Sequence, residues 1–201
     1  MTPDLLVGNN GEMNTATTRE QLLEHAELLM RQRGCNGFSY RDLAERVGVK
    51  TASIHYYFPA KDDLLTEVMD KYTVHVRAVL QGIDPSLPAN EKLATYASLF
   101  RNAPTDKICL GGMLASNVAS LSDRARESVL AFFRLHEKWL SHVVAEGMKD
   151  GTLTFSGDPE ADGRWLFAML QGAIISARLF QDPQRLCDVV AAVQCRARAT
   201  H

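Results

Sequence analysis

Two short helical phrases joined through a single glycine, within residues 38–65 (FSYRDLAERVGVKTASIHYYFPAKDDLL), constrain the fold of this chain more than any other stretch. Ser39 can cap a helix whose third residue is Asp42, an S-x-x-D capping box, and Leu43, Ala44 and Val47 then fall on one helical face. Gly48 ends that helix. A turn at Gly48 and Val49 reverses the chain into Lys50–Phe58, where Ala52 is small enough for close helix packing and Ile54 and Phe58 point inward four residues apart. Pro59 stops the second helix, and Lys61 opens a third whose buried stripe is Leu64, Leu65, Val68 and Met69.

The remaining positions of the second helix face outward. Lys50, Thr51, Ser53, His55, Tyr56 and Tyr57 are short polar, aromatic and cationic types that can reach phosphates and base edges in a major groove. Two exposed tyrosines beside a lysine and a histidine would be costly decoration for an ordinary solvent-facing hairpin. Within this set, Lys50 and Lys61 suit phosphate contacts, whereas Arg41, Thr51 and Ser53 are better placed to read bases. Tyr56 and Tyr57 could donate hydroxyls to phosphates, or Tyr57 could pack under its helix. The pattern F-S-x-R-D-L-A, then G-V, then I-x-x-Y-F-x-x-K-x-x-L, preceded by an amphipathic helix, resembles the DNA-binding domain of the TetR (AcrR-type) family of bacterial transcription regulators. Many members of that family carry tyrosine where this chain has His55; His55 would replace that phosphate contact and make it pH-sensitive.

Charge supports a basic head on an acidic body. The 201-residue chain has a net charge of −2. Between Thr18 and Lys61, however, seven bases (Arg19, Arg31, Arg33, Arg41, Arg46, Lys50, Lys61) face five acids (Glu20, Glu24, Glu27, Asp42, Glu45), an excess of two positive charges. The hydrophobic fraction of 46% is ample for a core, and no stretch approaches the roughly 18 apolar residues that would span a bilayer. The first residues lack a basic-then-apolar signal sequence, so the cytoplasm is the expected location and no membrane partner is expected. Cys35, Cys109, Cys187 and Cys195 are irregularly spaced and read as reduced thiols. Residues 1–16, rich in Gly, Asn and Thr, read as a mobile arm in which Met13 is an alternative start.

The rest of the chain repeats a helical period, with no strand-like alternation and no internal repeat. Thr18 is expected to cap the first helix in a capping box with Gln21, with Leu22, Leu23, Ala26, Leu29 and Met30 as core stripe and Gly34 and Gly37 ending it. Further helices are expected over Lys61–Leu80, Asn90–Asn102, Leu110–Leu121, Asp123–Met148, Pro159–Phe180 and Pro183–Ala197. The expected fold is therefore all-α: a flexible arm (1–16), a three-helix helix-turn-helix DNA-binding domain (17–62), and a helical effector-binding and dimerisation domain (63–201) entered through the fourth helix. Pro159–Phe180 is apolar almost all round, with Trp165, Met169, Gly172 and Ser176 along one side and Leu166, Leu170, Ala173 and Ala177 along another. A helix with two apolar sides needs two partners, and a second subunit is the simplest second partner, with Gly172, Ala173, Ser176 and Ala177 allowing a close crossing. The family resemblance implies the same homodimer, through the last two helices.

The resemblance also implies an effector cavity, onto which Tyr96, Phe100, Met113, Asn117, Phe133, His136, Trp139, Trp165 and Met169 would open. Asn117 and His136 are its few polar groups, which suits a small, mainly hydrophobic effector. Cys109 stands just before Leu110-Gly111-Gly112 at an expected helix start, where a thiol's acidity rises, and KICLGGMLAS is similar to a TetR subgroup of electrophile- and acrylate-responsive repressors. The plainer expectation is a small buried cysteine behind the pocket. His136 and His142, six residues apart, lie on different helix faces and do not suggest a metal. With no phosphate-binding glycine loop and no nucleophile beside a base, neither an enzyme nor a cofactor is expected. The expected function is a homodimeric repressor that leaves a palindromic double-stranded operator when a small-molecule effector binds; the alternatives are a redox- or electrophile-sensing repressor acting through Cys109 and a DNA-binding regulator with no effector.

Overall fold

A computed structural model describes residues 17–101, 106–155 and 157–196. The arm at residues 1–16 and the expected helix ends Asn102 and Ala197 lie outside the described residues. Within them the secondary structure is entirely helical: α1 Thr18–Arg33, α2 Tyr40–Val47, α3 Thr51–Tyr57, α4 Lys61–Gln81, α5 Ala89–Arg101, α6 Leu110–Ala115, a 3-10 turn Val118–Ser120, α7 Asp123–Asp150, α8 Pro159–Phe180 and α9 Gln184–Arg196. No helix among the described residues is long and apolar enough to cross a membrane.

Local chemistry sets most of these boundaries. Asp158 caps α8 by accepting from the Glu160 and Ala161 amides, and Pro159 supplies a first residue already fixed in helical φ. Gly151 follows α7 with φ of 78°, a conformation that suits glycine. Two expectations need correction. The cap of α1 is Thr17, not Thr18: Thr17 accepts from the Glu20 amide while the Glu20 carboxylate accepts from the Thr17 amide at 2.8 Å. Both threonines have a Glu or Gln three residues on, and the charged carboxylate is the stronger acceptor. The helix expected over Leu110–Leu121 stops at Ala115, because the Ser116 hydroxyl and Asn117 amide both donate to the Met113 carbonyl, at 2.8 and 3.1 Å. Such side-chain bonds compete with the helical ladder.

The described residues form two compact units. One holds residues 17–74 and 107–132; the other holds 75–106 and 133–196, so α4 and α7 each contribute to both. In the first unit the core comprises Leu22, Leu29 and Met30 of α1, Leu43 of α2, Ile54 of α3, Phe58, and Leu64 and Met69 of α4. In the second, α9 packs on α5 and α8. There Gly163 lets α8 approach α7: a Cβ on it would lie 2.8 Å from the Ser141 amide nitrogen and 2.9 Å from the Glu137 carbonyl oxygen. Lys92, buried on α5, donates to both carboxylate oxygens of Glu146 on α7, at 2.8 and 2.9 Å.

Candidate nucleic-acid interface

The capping box that opens α2 forms as expected. The Asp42 carboxylate accepts from the Ser39 amide at 2.6 Å and its hydroxyl at 2.5 Å, and these bonds hold the Asp42 carboxyl below its ordinary range. At the other end Gly48 takes φ of 78° and ψ of 32°, and the Gly48 and Val49 amides both donate to the Ala44 carbonyl, at 2.9 and 3.0 Å. A Cβ there would touch nothing, so the left-handed backbone is the reason for glycine. The turn delivers Lys50 as the extended N-cap of α3.

Ile54 and Phe58 are fully buried, and they fix which face of α3 looks out. The Tyr40 hydroxyl donates to the Phe58 carbonyl at 2.9 Å and fastens the C-terminal end of α3 to the start of α2. Burial, reinforced by the Asp63 carboxylate, pushes the Tyr40 phenol up to about 12, so it stays a neutral donor. Beneath, the Arg19 guanidinium sits over the Phe58 ring at 5.5 Å and pairs with Glu67. Tyr40 was not among the expected site residues; its signal is its place directly after the cap, four residues before Ala44 on the buried side of α2.

Turned away from this scaffold are the residues expected to meet DNA. Lys50, His55 and Tyr56 are exposed, with Tyr56 at 81%, while Thr51, Ser53 and Tyr57 are half-buried. The Tyr57 ring meets the Tyr56 ring edge-on at 5.2 Å, and His55 meets Tyr40 edge-on at 4.8 Å. Arg41, on α2, is exposed beside Glu45 at 4.0 Å, a pair too solvated to hold it in place. Lys61 is turned inward: it donates to the Phe38 carbonyl at 2.6 Å and lies 4.3 Å from the centre of the Phe38 ring, with its ammonium pKa pushed down by burial. One of its three N–H groups is therefore spent on the fold. Ala52 is exposed, contrary to the packing role expected of it. Two residues before Ile54, it stands about 200° round the helix from the buried stripe.

The residues expected to line an effector cavity include members of both units. In the unit of residues 75–106 and 133–196, the Tyr96 hydroxyl and His136 Nδ1 are hydrogen-bonded at 2.9 Å. Around them, Tyr96 contacts the rings of Phe100 and Trp139, and His136 stacks on Phe167 at 4.3 Å, with Phe133 edge-on to Phe167 at 5.2 Å. Burial pushes the His136 imidazole down to about 3, so it is neutral. Phe167 was missed, because Leu166 and Leu170 alone satisfied the expected buried side of α8. Cys109, Met113 and Asn117 belong to the other unit, where Cys109 is buried beside Tyr72. Trp165 is 42% exposed on the outward side of α8, and Met169 is half-buried there. Trp165 is one position out of phase with Leu166. A cleft of about 620 Å³ also opens in the unit of Tyr96; of the expected pocket residues only Trp139 lines it, with Leu80, Ile83, Lys92 and Val143 among its walls. His142 lies there, exposed, while His136 is buried.

The outward stripe of α8 continues from Trp165 through Ala168, Gly172, Ile175 (49% exposed) and Leu179 (75% exposed). Gly172 faces open space, whereas Ala173 and Ala177 are buried within their own unit, so these two alanines cannot take part in a crossing with a second subunit.

Comparison with known proteins gives the same architecture. Residues 22–68 match the description "Bacterial regulatory proteins, tetR family", and residues 90–193 match "Tetracyclin repressor-like, C-terminal domain". The chain is 27% identical to the HTH-type transcriptional repressor NemR of Escherichia coli (strain K12), over 88% of this chain and 92% of NemR. The structure of a TetR transcriptional regulator from Legionella pneumophila is similar with a TM-score of 0.81 and 32% identity, covering 91% of this chain and 98% of that one. E. coli NemR in its reduced form is similar with a TM-score of 0.78 and 25% identity, covering 90% and 97%. A helix-turn-helix whose second helix is fastened from behind, followed by a helical C-terminal region that matches in its own right, makes this chain a member of the TetR family of bacterial DNA-binding transcription regulators.

Proposed function

We propose that this regulator is a homodimeric repressor that leaves a palindromic operator when a small molecule binds to it. The observation that carries the operator reading is the outward face of α3, where Lys50, His55 and Tyr56 are exposed on a helix fixed from behind by Ile54, Phe58 and Tyr40. In this reading Lys50, Tyr56 and His55 meet phosphates, Thr51 and Ser53 face base edges, and Arg41 reaches in from α2. Residues 17–62 read the DNA, and residues 63–201 bind the effector and the second copy. The apolar stripe Trp165–Leu179 supports two-fold pairing, and two heads would then engage major grooves about one helical turn apart, or a multiple of it. The aromatic group around Tyr96 and His136 favours a small, mainly apolar effector with one hydrogen-bonding group. Burial of Cys109 against Tyr72 favours a ligand over attack on that thiol. Such a ligand acts only through its differential affinity for the two states, about 5.5 kcal/mol for a near-complete switch.

Selection from a random duplex pool with the purified protein tests this reading. An enriched inverted repeat, bound with steep salt dependence, is expected. Failure to enrich any sequence at low salt would sink the operator reading.

A further inference from the structure

Arg31 is the largest side chain fully buried among the described residues. A guanidinium out of water is retained only where its charge and its donors are answered. On its own helix it pairs with Glu27 at 3.1 Å, and its guanidinium carbon lies 5.7 Å from the centre of the Tyr72 ring on α4. A further pair of bonds leaves α1 altogether: Nε donates to the Ile108 carbonyl at 3.1 Å, while the Ile108 amide donates to the Arg31 carbonyl at 3.2 Å. Both polar groups of the residue that leads into α6 are therefore held by one residue of α1. All of these groups lie in the unit that carries α2 and α3.

We propose that Arg31 is a positioning residue for DNA reading, the pin through which the position of α6 is felt by α1 and hence by the helices packed on it. An alternative path exists in the same unit, because the Phe132 ring packs 5.6 Å from the Tyr72 ring of α4. Gly111, in the first turn of α6, permits a test of the route. A Cβ on Gly111 would lie 2.3 Å from Phe132 Cε1, below the 3.0 Å that real Cβ atoms respect, so G111A must displace α6 or Phe132. Displacement relayed by Arg31 needs the fork at Ile108; displacement relayed by Phe132 and Tyr72 does not.

The inference rests on α3 being the operator-reading helix. The experiment is a double-mutant cycle on the full-length chain, with the enriched duplex as probe and no effector. Arg31→Lys keeps the buried charge beside Glu27 but has no planar fork for the Ile108 carbonyl. In the native background G111A should weaken duplex binding by about tenfold, within the range usual for coupled sites, and in the R31K background by less than about threefold. The salt dependence should stay unchanged in every variant, because Arg31 meets no phosphate. If R31K unfolds on heating well below the native chain, the pair Glu27→Gln with Arg31→Met, which removes both charges, takes its place in the cycle. An equal G111A penalty in both backgrounds, or no penalty in the native one, overturns the pin. Absence of binding by the native chain overturns the operator reading, and the pin with it.

Discussion

Helices α3 and α8 each bury one face and leave the other uncovered, and the two uncovered faces have opposite chemistry. On α3 it carries Lys50, His55 and Tyr56, groups that lose little by standing in water and gain when they meet phosphate or base edges. On α8 it carries Trp165, Ile175 and Leu179, which gain from leaving water, roughly 1.5–3 kcal/mol for each large side chain fully buried. The difference teaches what each helix is exposed for. A polar face can wait for DNA without penalty, whereas an apolar stripe of that length calls for a protein surface. The backing of the two faces differs as well: a phenol-to-carbonyl bond from Tyr40 steadies α3, and the Phe167–His136 stack lies under α8.

Charging the α8 stripe breaks the comparison most severely. Ile175→Arg with Leu179→Asp should convert the proposed dimer to a monomer in analytical ultracentrifugation, and with one head per molecule the affinity for an inverted repeat should fall by about a hundredfold or more. A dimer that survives both charges would remove α8 from the interface. Truncating the α3 face should cost less. Lys50→Ala and Tyr56→Ala are each expected to weaken duplex binding by about tenfold, the lysine change also flattening the salt dependence by about one counterion, with thermal unfolding unchanged because both side chains are exposed. Loss of binding accompanied by unfolding would return these residues to the scaffold.

The smallest effect sharpens the difference in backing. His136 has a folded-state pKa near 3, against about 6.5 when unfolded, so between these values the unfolded chain binds the extra proton. Its contribution is therefore fully present above pH 6.5 and is lost as pH falls toward 3, by about 1.4 kcal/mol for each pH unit. Urea melts at pH 7 and pH 5.5 should register this difference, and His136→Gln should reduce it. An unchanged pH dependence in the variant would mean that His136 titrates as an exposed imidazole does.

Where a boundary depends on neighbours in sequence, residues alone located it well. Ser39 and Asp42 cap α2, Gly48 turns the chain, and Asp158-Pro159 starts α8, each through atoms a few bonds apart. Ambiguity entered where two local solutions compete, as at Thr17 and Thr18, or where side chains capture the backbone, as Ser116 and Asn117 do at the end of α6. The candidate site was legible on α3, since the buried pair Ile54 and Phe58 fixes the phase of every other residue there. In the helical C-terminal region it was legible only in part. A helix that is apolar on two sides has no unique phase in its sequence, so Trp165 read equally well as cavity wall or outer surface.

By itself the sequence determined the all-helical fold, the helix-turn-helix register and the polar outward face of α3, because capping, turn and periodicity act over a few residues. Only the tertiary structure decided that Tyr96 and His136 share a hydrogen bond 40 residues apart, that Trp165 faces outward, and that a buried arginine on α1 holds the residue before Cys109. Those facts depend on which distant surfaces meet when the helices pack, and helical periodicity leaves that choice open.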